Sequence, residues 1–517
     1  MRRRLLPAVM ATLLTTAACG STVQTTADGV TQAGGTGTGA NGLGTTDAAG
    51  TSAGPGVSGG NRPVGPGRIG TRGAGPAGGL SDGVGNAASS GSGGSSPSGT
   101  GTQTGSTSGP RGPVRAAAPG ITAKTIYIGV GYSSQTAAGD KALGAGGAAP
   151  SYNTPDVVNA ALDYANKHGG YAGRQMKAIY YDYDLTADTS GQDQSACARY
   201  TQDNKVFAIV AGTDILRRCA EKAGAIGLGG PPETAKTFQR YPHYVDSEGI
   251  RLDRLGVVTV NALHTQHYFT GKLGLLTWDD PDYRYTMTQA YLPTLAMHGI
   301  KPATDPIYVS VPQSVGALSD TSAAMSAAVQ KFKTLGIDHV MIVDGPAGVF
   351  SGDGLTLEFM TQAKSQNYYP RYGGNSKNAP GFGINPSDEM DQGLFVDQAD
   401  YDKSNDVGWH TNKAREECFK LMTDAGYPPQ NQSVEAFGGA FCDVAFFLQQ
   451  VINSLSVLST NAFMQAVGGL GTSFPSAIVF GTRFAADRHD GGSLVRIVTY
   501  LKSCQCLKYL TTPYDAG

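Results

Sequence analysis

Between residues 20 and 119 the sequence contains no Phe, Tyr, Trp, Lys or Glu. A stretch without aromatic or sustained aliphatic side chains has nothing to bury, and burial is what offsets the roughly 1–2 kcal/mol per residue lost in fixing a backbone. A packed domain is excluded there. Gly supplies 30 of these residues, and Ser, Thr, Ala and scattered Pro make up most of the rest. Residues 20–119 are therefore expected to be a disordered Gly/Ser/Thr-rich tether with a root-mean-square reach of about 50–60 Å. Two G-x-S-x-G strings, Gly50 to Gly54 and Gly56 to Gly60, fall inside it. They lack the preceding strand and following helix that this hydrolase motif needs.

Net charge is also missing. The 517 residues carry 39 basic and 41 acidic side chains, so no global positive field exists to hold nucleic acid. No run is long enough to span a bilayer. The apolar stretch from Leu5 to Ala18 follows Arg2, Arg3 and Arg4, which is the pattern of an export signal over residues 1–19. Its end, Thr16-Ala17-Ala18-Cys19, resembles the lipobox of bacterial lipoproteins, with Thr16 where Leu is usual. That resemblance implies lipidation of Cys19 and a membrane anchor on the outer face of the bacterial cytoplasmic membrane.

What the chain does have lies further on. All 43 aromatic residues fall within residues 120–517. With the eight Arg and three Asp before residue 120 set aside, 31 basic and 38 acidic side chains remain, so this part is mildly acidic. At 398 residues it exceeds what one hydrophobic core usually supports, and two lobes are expected. Ile126 to Val130 reads as a strand. Thr154 as cap and Pro155 in the first turn open a helix whose apolar face is Val158, Ala161, Leu162 and Ala165 and which Gly169-Gly170 ends. Strand and helix then alternate: Met176 to Tyr181, Asp193 to Gln202, Val206 to Ala211, Ile215 to Ala223. Lys272 to Trp278, Ile307 to Val311 and His339 to Val343 are further strands, separated by helices over Thr286 to Met297 and Thr321 to Leu335. Near-continuous apolar strands alternating with helices predict an α/β fold with parallel sheets covered on both faces.

In such sheets ligands bind outside the carboxyl ends of the strands. The candidate ligand-binding residues are therefore those of the loops after strands: Tyr132, Ser133 and Ser134; Thr213 and Asp214; Gly229 and Gly230; Asp279, Asp280 and Tyr283; and Asp344. Gly lets a backbone approach a ligand, and Ser, Thr, Asp and Tyr supply directed hydrogen bonds. Read plainly, the same residues are strand-to-helix turns with capping side chains.

The order of segments resembles the type I periplasmic solute-binding proteins, specifically the group of branched-chain amino-acid binding proteins of ABC importers. Ile121 to Gly129 is similar to that family's first strand, Tyr164 to Arg174 to its first helix end and turn, and Tyr180 to Asp182 to its second strand. Asp203 to Gly212 resembles the third, Leu273 to Asp280 with Tyr283 the strand opening the second lobe, and Ser433 to Leu455 the long late helix. The resemblance implies two Rossmann-like lobes joined by a three-crossing hinge, one of about 121–246 and 400–480, the other of about 247–399 and 481–510. The crossings would lie near Asp246, Asp400 and Gly481. It implies capture of a small polar or amphipathic solute, an amino acid or related compound, by a monomer that docks on an ABC permease, without catalysis or cofactor. Two departures stand out. Asp214 would repel a solute carboxylate, and Gly229-Gly230-Pro231 replaces the small residue and Thr found near the amino group in relatives. Two rival readings keep these loops: a ligand sensor for a membrane signalling partner, and an exported α/β enzyme.

Beyond Cys19 there are six cysteines, an even number in an exported chain, so disulfides are expected, with fifteen pairings open. The resemblance implies Cys197 with Cys219. Cys418 and Cys442 fall on consecutive late helices that antiparallel packing would bring together. Cys504 and Cys506 form either a local bond or two free thiols. His264 and His267, three apart, and the acidic group Asp279, Asp280 and Asp282 each lack further ligands, and no metal is expected.

Overall fold

The computed structural model describes residues 114–135, 153–210, 212–230, 233–348, 354–376, 388–399, 412–428, 432–504 and 506–517. The export signal, Cys19 and the tether up to residue 113 lie outside these residues. So does the crossing expected at Asp400.

The described chain begins inside the segment expected to be tether. Strand β1 (Arg115–Ala116) pairs in parallel with a late strand at Val457–Leu458, and Arg174 Nη2 donates to the Val114 carbonyl at 2.8 Å. Backbone pairing of this kind needs no apolar side chain, which is why composition did not mark it.

The first sheet is parallel throughout, in the order β3-β2-β4-β5-β6. Its chain order is β2 (Thr125–Tyr132), α1 (Thr154–Lys167), β3 (Gln175–Asp182), α2 (Thr189–Ala198), β4 (Ala208–Val210), α3 (Asp214–Ala223), β5 (Ile226–Leu228), α4 (Ala235–Arg240) and β6 (Tyr244–Val245). The N-cap of α1 is Asn153, one residue before the expected Thr154, with Pro155 in the first turn. Alternation along β2 sends Ile126, Ile128 and Val130 to one face, where they pack with Val158, Ala161 and Leu162 of α1 and with two late helices. The opposite face holds a separate cluster of Tyr200, Ile209, Leu216, Cys219 and Ala220 under α2 and α3.

The second lobe follows with α5 (Leu252–Thr265), β7 (Leu273–Trp278), α6 (Pro281–Thr286), α7 (Leu292–Met297), β8 (Ile307–Val309), α8 (Leu318–Thr334), β9 (His339–Val343), α9 (Gly354–Ser365), β10 (Arg371–Asn375) and β11 (Leu394–Asp397). Strand β10 reads Arg-Tyr-Gly-Gly-Asn, with no apolar alternation to announce it. A side chain at Gly373 would place its Cβ 2.5 Å from Leu263 Cδ2 and 2.7 Å from Tyr268 Cζ, so close packing of α5 on the sheet requires the glycine.

The chain then returns to the first lobe as α10 (Lys413–Asp424), α11 (Gln432–Ser454), β12 (Val457–Leu458) and α12 (Thr460–Gly468), and α11 packs on α1. Finally β13 (Leu494–Leu501), β14 (Cys506–Tyr509) and β15 (Tyr514–Asp515) join the second sheet. Its order is β14-β13-β11-β10-β9-β7-β8, with β15 against β13. The core of this sheet is parallel as expected, but β13, β14 and β15 add antiparallel pairings at one edge. β13 enters from the first lobe and runs against β11, and β14 follows it through a hairpin, which has no crossover helix to impose parallel pairing.

Both helix-to-helix disulfides are formed. Cys197–Cys219 joins α2 to α3 with an S–S distance of 2.04 Å, and Cys418–Cys442 joins α10 to α11 at 2.06 Å. Cys504 is also disulfide-bonded, and the side chain of Cys506 lies outside the described residues. Among the described residues no helix is long and apolar enough to cross a membrane, and no group of three or more His, Cys, Asp or Glu could hold a metal ion. His264 stacks on His298 at a ring distance of 4.0 Å instead of facing His267.

Three strands of chain tie the lobes together side by side. Asp246 N donates to His489 O at 3.0 Å, and Gly491 N donates to Asp246 O at 2.8 Å. Ile250 N donates to Gln398 Oε1 at 3.0 Å and Phe480 N to Gln398 O at 3.2 Å. After Phe480 the chain does not pass directly into the second sheet. Phe484 is still packed in the first-lobe core, and Ala485 and Arg488 close a tight turn, so entry is completed only at Leu494.

Candidate functional site

Loops that follow strands of the two sheets meet, and two sets of contacts join them. On one side the start of α2 meets the loop after β8: Thr189 N donates to Gln313 O at 3.2 Å, Thr189 Oγ1 to Gln313 Oε1 at 2.7 Å, and Val315 N to Leu185 O at 3.3 Å. On the other, Asp282 in the first turn of α6 reaches the first lobe. Its Oδ1 accepts from Thr234 Oγ1 at 3.1 Å and Thr237 Oγ1 at 3.2 Å, and its Oδ2 lies 3.7 Å from Arg217 Nη1. Lys236 sits 4.4 Å from the ring centroid of Tyr285 beside it.

Arg217 is the charged centre of this region and is 1 % exposed. Its Nη2 donates to the carbonyls of Gly212 and Gly230, each at 3.1 Å, and its guanidinium lies over the Tyr244 ring. Burial works against its charge, but Tyr244, Glu233 and Asp282 outweigh that and hold it more firmly protonated than usual. Sequence reading passed over Arg217, Thr234 and Thr237, and took Asp282 only as part of an acidic group. A signal existed for the first: Arg217 precedes Ala220 by one helical turn and so flanks the buried stripe of Leu216, Cys219 and Ala220.

The candidate residues divide into groups. Tyr132 ends β2 and Ser133 and Ser134 follow it, the first two partly accessible and Ser134 exposed, and Ser134 N donates to Asp182 Oδ1 at 2.8 Å. The Tyr132 phenol is pushed up by its local desolvation and by the Asp182 carboxylate. Thr213 caps α3, accepting from Leu216 N at 3.3 Å, and its hydroxyl also bonds Asp193, whose carboxyl is raised by burial. Asp214 turns to the first-lobe surface. There Tyr241 donates to it at 2.6 Å, Arg218 and Arg240 pair with it, and together they outweigh desolvation and lower its carboxyl. Gly229 lies against the first crossing: a Cβ there would be 2.4 Å from Asp246 Cα. Gly230 holds the Tyr244 hydroxyl, which donates to its carbonyl at 2.9 Å.

In the second lobe Asp279 is an exposed partner of Arg284, which holds its carboxyl below the usual range. Asp280 caps α6, accepting from Asp282 N at 2.9 Å, and burial raises it. Tyr283 is fully buried in the lobe core with its hydroxyl donating to Pro346 O at 3.2 Å. Asp344 is buried too, accepting from Trp278 Nε1 at 2.9 Å, Gly345 N at 2.7 Å, and Thr356 N and Oγ1 at 2.7 and 2.9 Å. The position after a strand thus did not fix the side-chain direction. Most of these acids are turned to caps, internal bonds or the surface.

No family model matches the sequence, and no curated protein sequence matches it. Solved structures do match. A possible leucine/isoleucine/valine-binding protein from Rhodopirellula baltica is 15 % identical, with 75 % of this chain and 96 % of that chain covered at a TM-score of 0.55. A fatty acid ABC transporter substrate-binding protein from Thermomonospora curvata is 16 % identical, covering 78 % and 95 %, at 0.54. A branched chain amino acid ABC transporter protein from Thermus thermophilus with bound valine is 13 % identical, covering 76 % and 96 %, at 0.53. Likeness along nearly the full length of these structures establishes that the chain has the two-lobed α/β fold of the type I periplasmic binding proteins.

Proposed function

We propose that the protein is the extracytoplasmic solute-binding component of an ABC importer. It takes a small polar or amphipathic solute, an amino acid or related compound, between its two lobes and presents it to a membrane permease. The observation that supports this most is that loops following strands of two separate sheets meet through hydrogen bonds, Thr189 with Gln313 and Thr234 with Asp282, where such sheets bind ligands. Structures of similar fold include one with bound valine and one in complex with 3,4-dihydroxy benzoic acid, which supports a solute of this general kind.

In this reading Tyr132, Ser133 and Ser134 contact the solute from the first lobe, opposite Gln313 on the second. Arg217 keeps the carbonyls of Gly212 and Gly230 engaged, so a solute ammonium must find its acceptors elsewhere. Capture follows from closure about the hinge, which buries the solute without any bond being made or broken. Cys19 carries the lipid anchor, the tether gives the domain its reach, and the protein works as a monomer.

A thermal-shift screen against amino acids, amides, aromatic acids, fatty acids and sugars tests the proposal. A true solute at about 100 times its dissociation constant adds about 2.7 kcal/mol of stability. A shift confined to one chemical class, lost in Ser133→Ala with Ser134→Ala, is the expected result. Turnover of the stabilising compound by the protein would reject capture in favour of catalysis.

A further inference from the structure

The amino ends of the first sheet's strands form a pole of the first lobe that the solute-binding reading does not use. Because this sheet is parallel throughout, the segments preceding β2, β3, β4 and β5 all lie along one edge. Lys124 precedes β2, Lys167 ends α1 before β3, Lys205 precedes β4, and Lys222 lies in the last turn of α3 before β5. All four are exposed, as is Arg115 of β1. Among the described residues none of these five forms an ion pair. The exposed acids beside them are Asp163, one turn before Lys167, and Asp203, while Glu221 is turned to His243, whose Nδ1 lies 2.9 Å from its Oε1. The same edge of the second lobe is different, because its lysines are engaged: Lys272 Nζ donates to Leu335 O at 3.1 Å, Lys333 Nζ to Gln366 O at 2.6 Å, and Lys364 pairs with Glu389 at 2.8 Å.

The described chain also begins at this pole. Arg174, between α1 and β3, donates from Nη2 to Val114 O and from Nε to Thr122 O, each at 2.8 Å, which fixes Val114 beside the turn that carries Lys124. Ala117 N donates to Leu458 O at 2.8 Å and holds the same segment from its other side. The stretch that leads back to Cys19 therefore leaves the folded body among these basic side chains.

We propose that this pole docks on the anionic headgroups of the membrane to which the chain is anchored. Residues 120–517 are mildly acidic as a whole, so an anionic surface attracts them only through a face where the sign is reversed. Lys167 and Lys222 also complement the carboxyl ends of their helices. Arg115, Lys124 and Lys205 belong to no helix, and the helix dipole does not account for them. A flexible tether of about 50–60 Å reach keeps the body near the bilayer and leaves its orientation free. Docking supplies the orientation: the loops at the carboxyl ends of the same strands, with Tyr132 and Thr213, then face away from the bilayer. The inference rests on the proposed function for the anchored membrane alone, and its test uses neither anchor nor solute.

The chain from Gly20 to Gly517, without the apolar leader and Cys19, is sedimented with vesicles of mixed phosphatidylglycerol and phosphatidylcholine and with vesicles of phosphatidylcholine alone. It should bind the anionic vesicles at about 0.1 M salt, release them at about 0.5 M, and leave the neutral ones unbound. Changing Lys124, Lys167, Lys205 and Lys222 together to Gln should weaken binding at least about 100-fold, with the melting temperature unchanged. The same change at exposed Lys301, Lys331, Lys333 and Lys508 removes equal charge from the second lobe and should leave binding as it is. No binding to anionic vesicles, equal binding to both kinds, or equal loss in the two variants overturns the docking pole. None of these results bears on whether the protein takes a solute.

Discussion

The two lobes reach a packed state by different means. The first has short strands, with β4 and β5 three residues long and β6 two, and its apolar side chains are split by the sheet into two clusters. Each face carries one covalent staple, Cys197–Cys219 between α2 and α3 and Cys418–Cys442 between α10 and α11. The second lobe joins its apolar side chains into one continuous cluster around Trp278, Tyr283, Phe332 and Phe359. A divided core gives each part less area to remove from water, and a crosslink compensates by shrinking the unfolded ensemble. In the second lobe the disulfide-bonded Cys504 lies in the turn between β13 and β14, at the sheet edge and outside that cluster.

Substitutions sharpen this contrast. The largest effect is expected from Tyr283→Ala, which empties a fully buried site of the second lobe and should cost about 3–5 kcal/mol in urea unfolding. Full stability with weakened solute binding would instead put Tyr283 in the cleft. Next, Cys197→Ser with Cys219→Ser reopens a loop closed across a separation of 22 residues, a loss of about 3 kcal/mol in the chain-entropy model. Hydrogen exchange should quicken in α2 and α3 and stay unchanged in β9. Equal quickening in both lobes would mean that they unfold as one unit. The smallest effect belongs to the lobe contact. Asp282→Ala removes the acceptor shared by Thr234 and Thr237 and the partner of Arg217, and should cost about 1–2 kcal/mol. Its signature is a wider inter-lobe distance with each lobe's exchange pattern intact.

How much of this was legible depends on the kind of signal. The long apolar strands β2, β7 and β9 and the helices α1, α3 and α8 stood out because periodicity and capping are local. Strands β6 and β10 did not, since two residues, or two glycines in five, carry no period to read. At the cleft, position after a strand located Tyr132, Thr213, Asp280 and Tyr283, but whether a side chain faces solute, caps a helix or fills a core depends on its neighbours across the fold. Asp344 shows this plainly: its acceptors are consumed by Trp278 and Thr356, residues far from it in sequence. Arg217 went unread for the converse reason, as a charge on a helix whose partners, Gly230 and Tyr244 of its own lobe and Asp282 of the other, are remote in sequence.

The sequence by itself determined that an apolar-poor leader precedes an aromatic-rich α/β body, that strand and helix alternate in parallel-sheet order, and that the cysteines number enough for crosslinks. These follow from composition and short-range periodicity, which the chain carries wherever it folds. Only the tertiary structure decided that the core of the first lobe is divided while that of the second is whole, that β13 to β15 run antiparallel, and that Arg217 meets Asp282. Each of these is a long-range contact, and its free energy depends on burial and on partners that no local window of sequence contains.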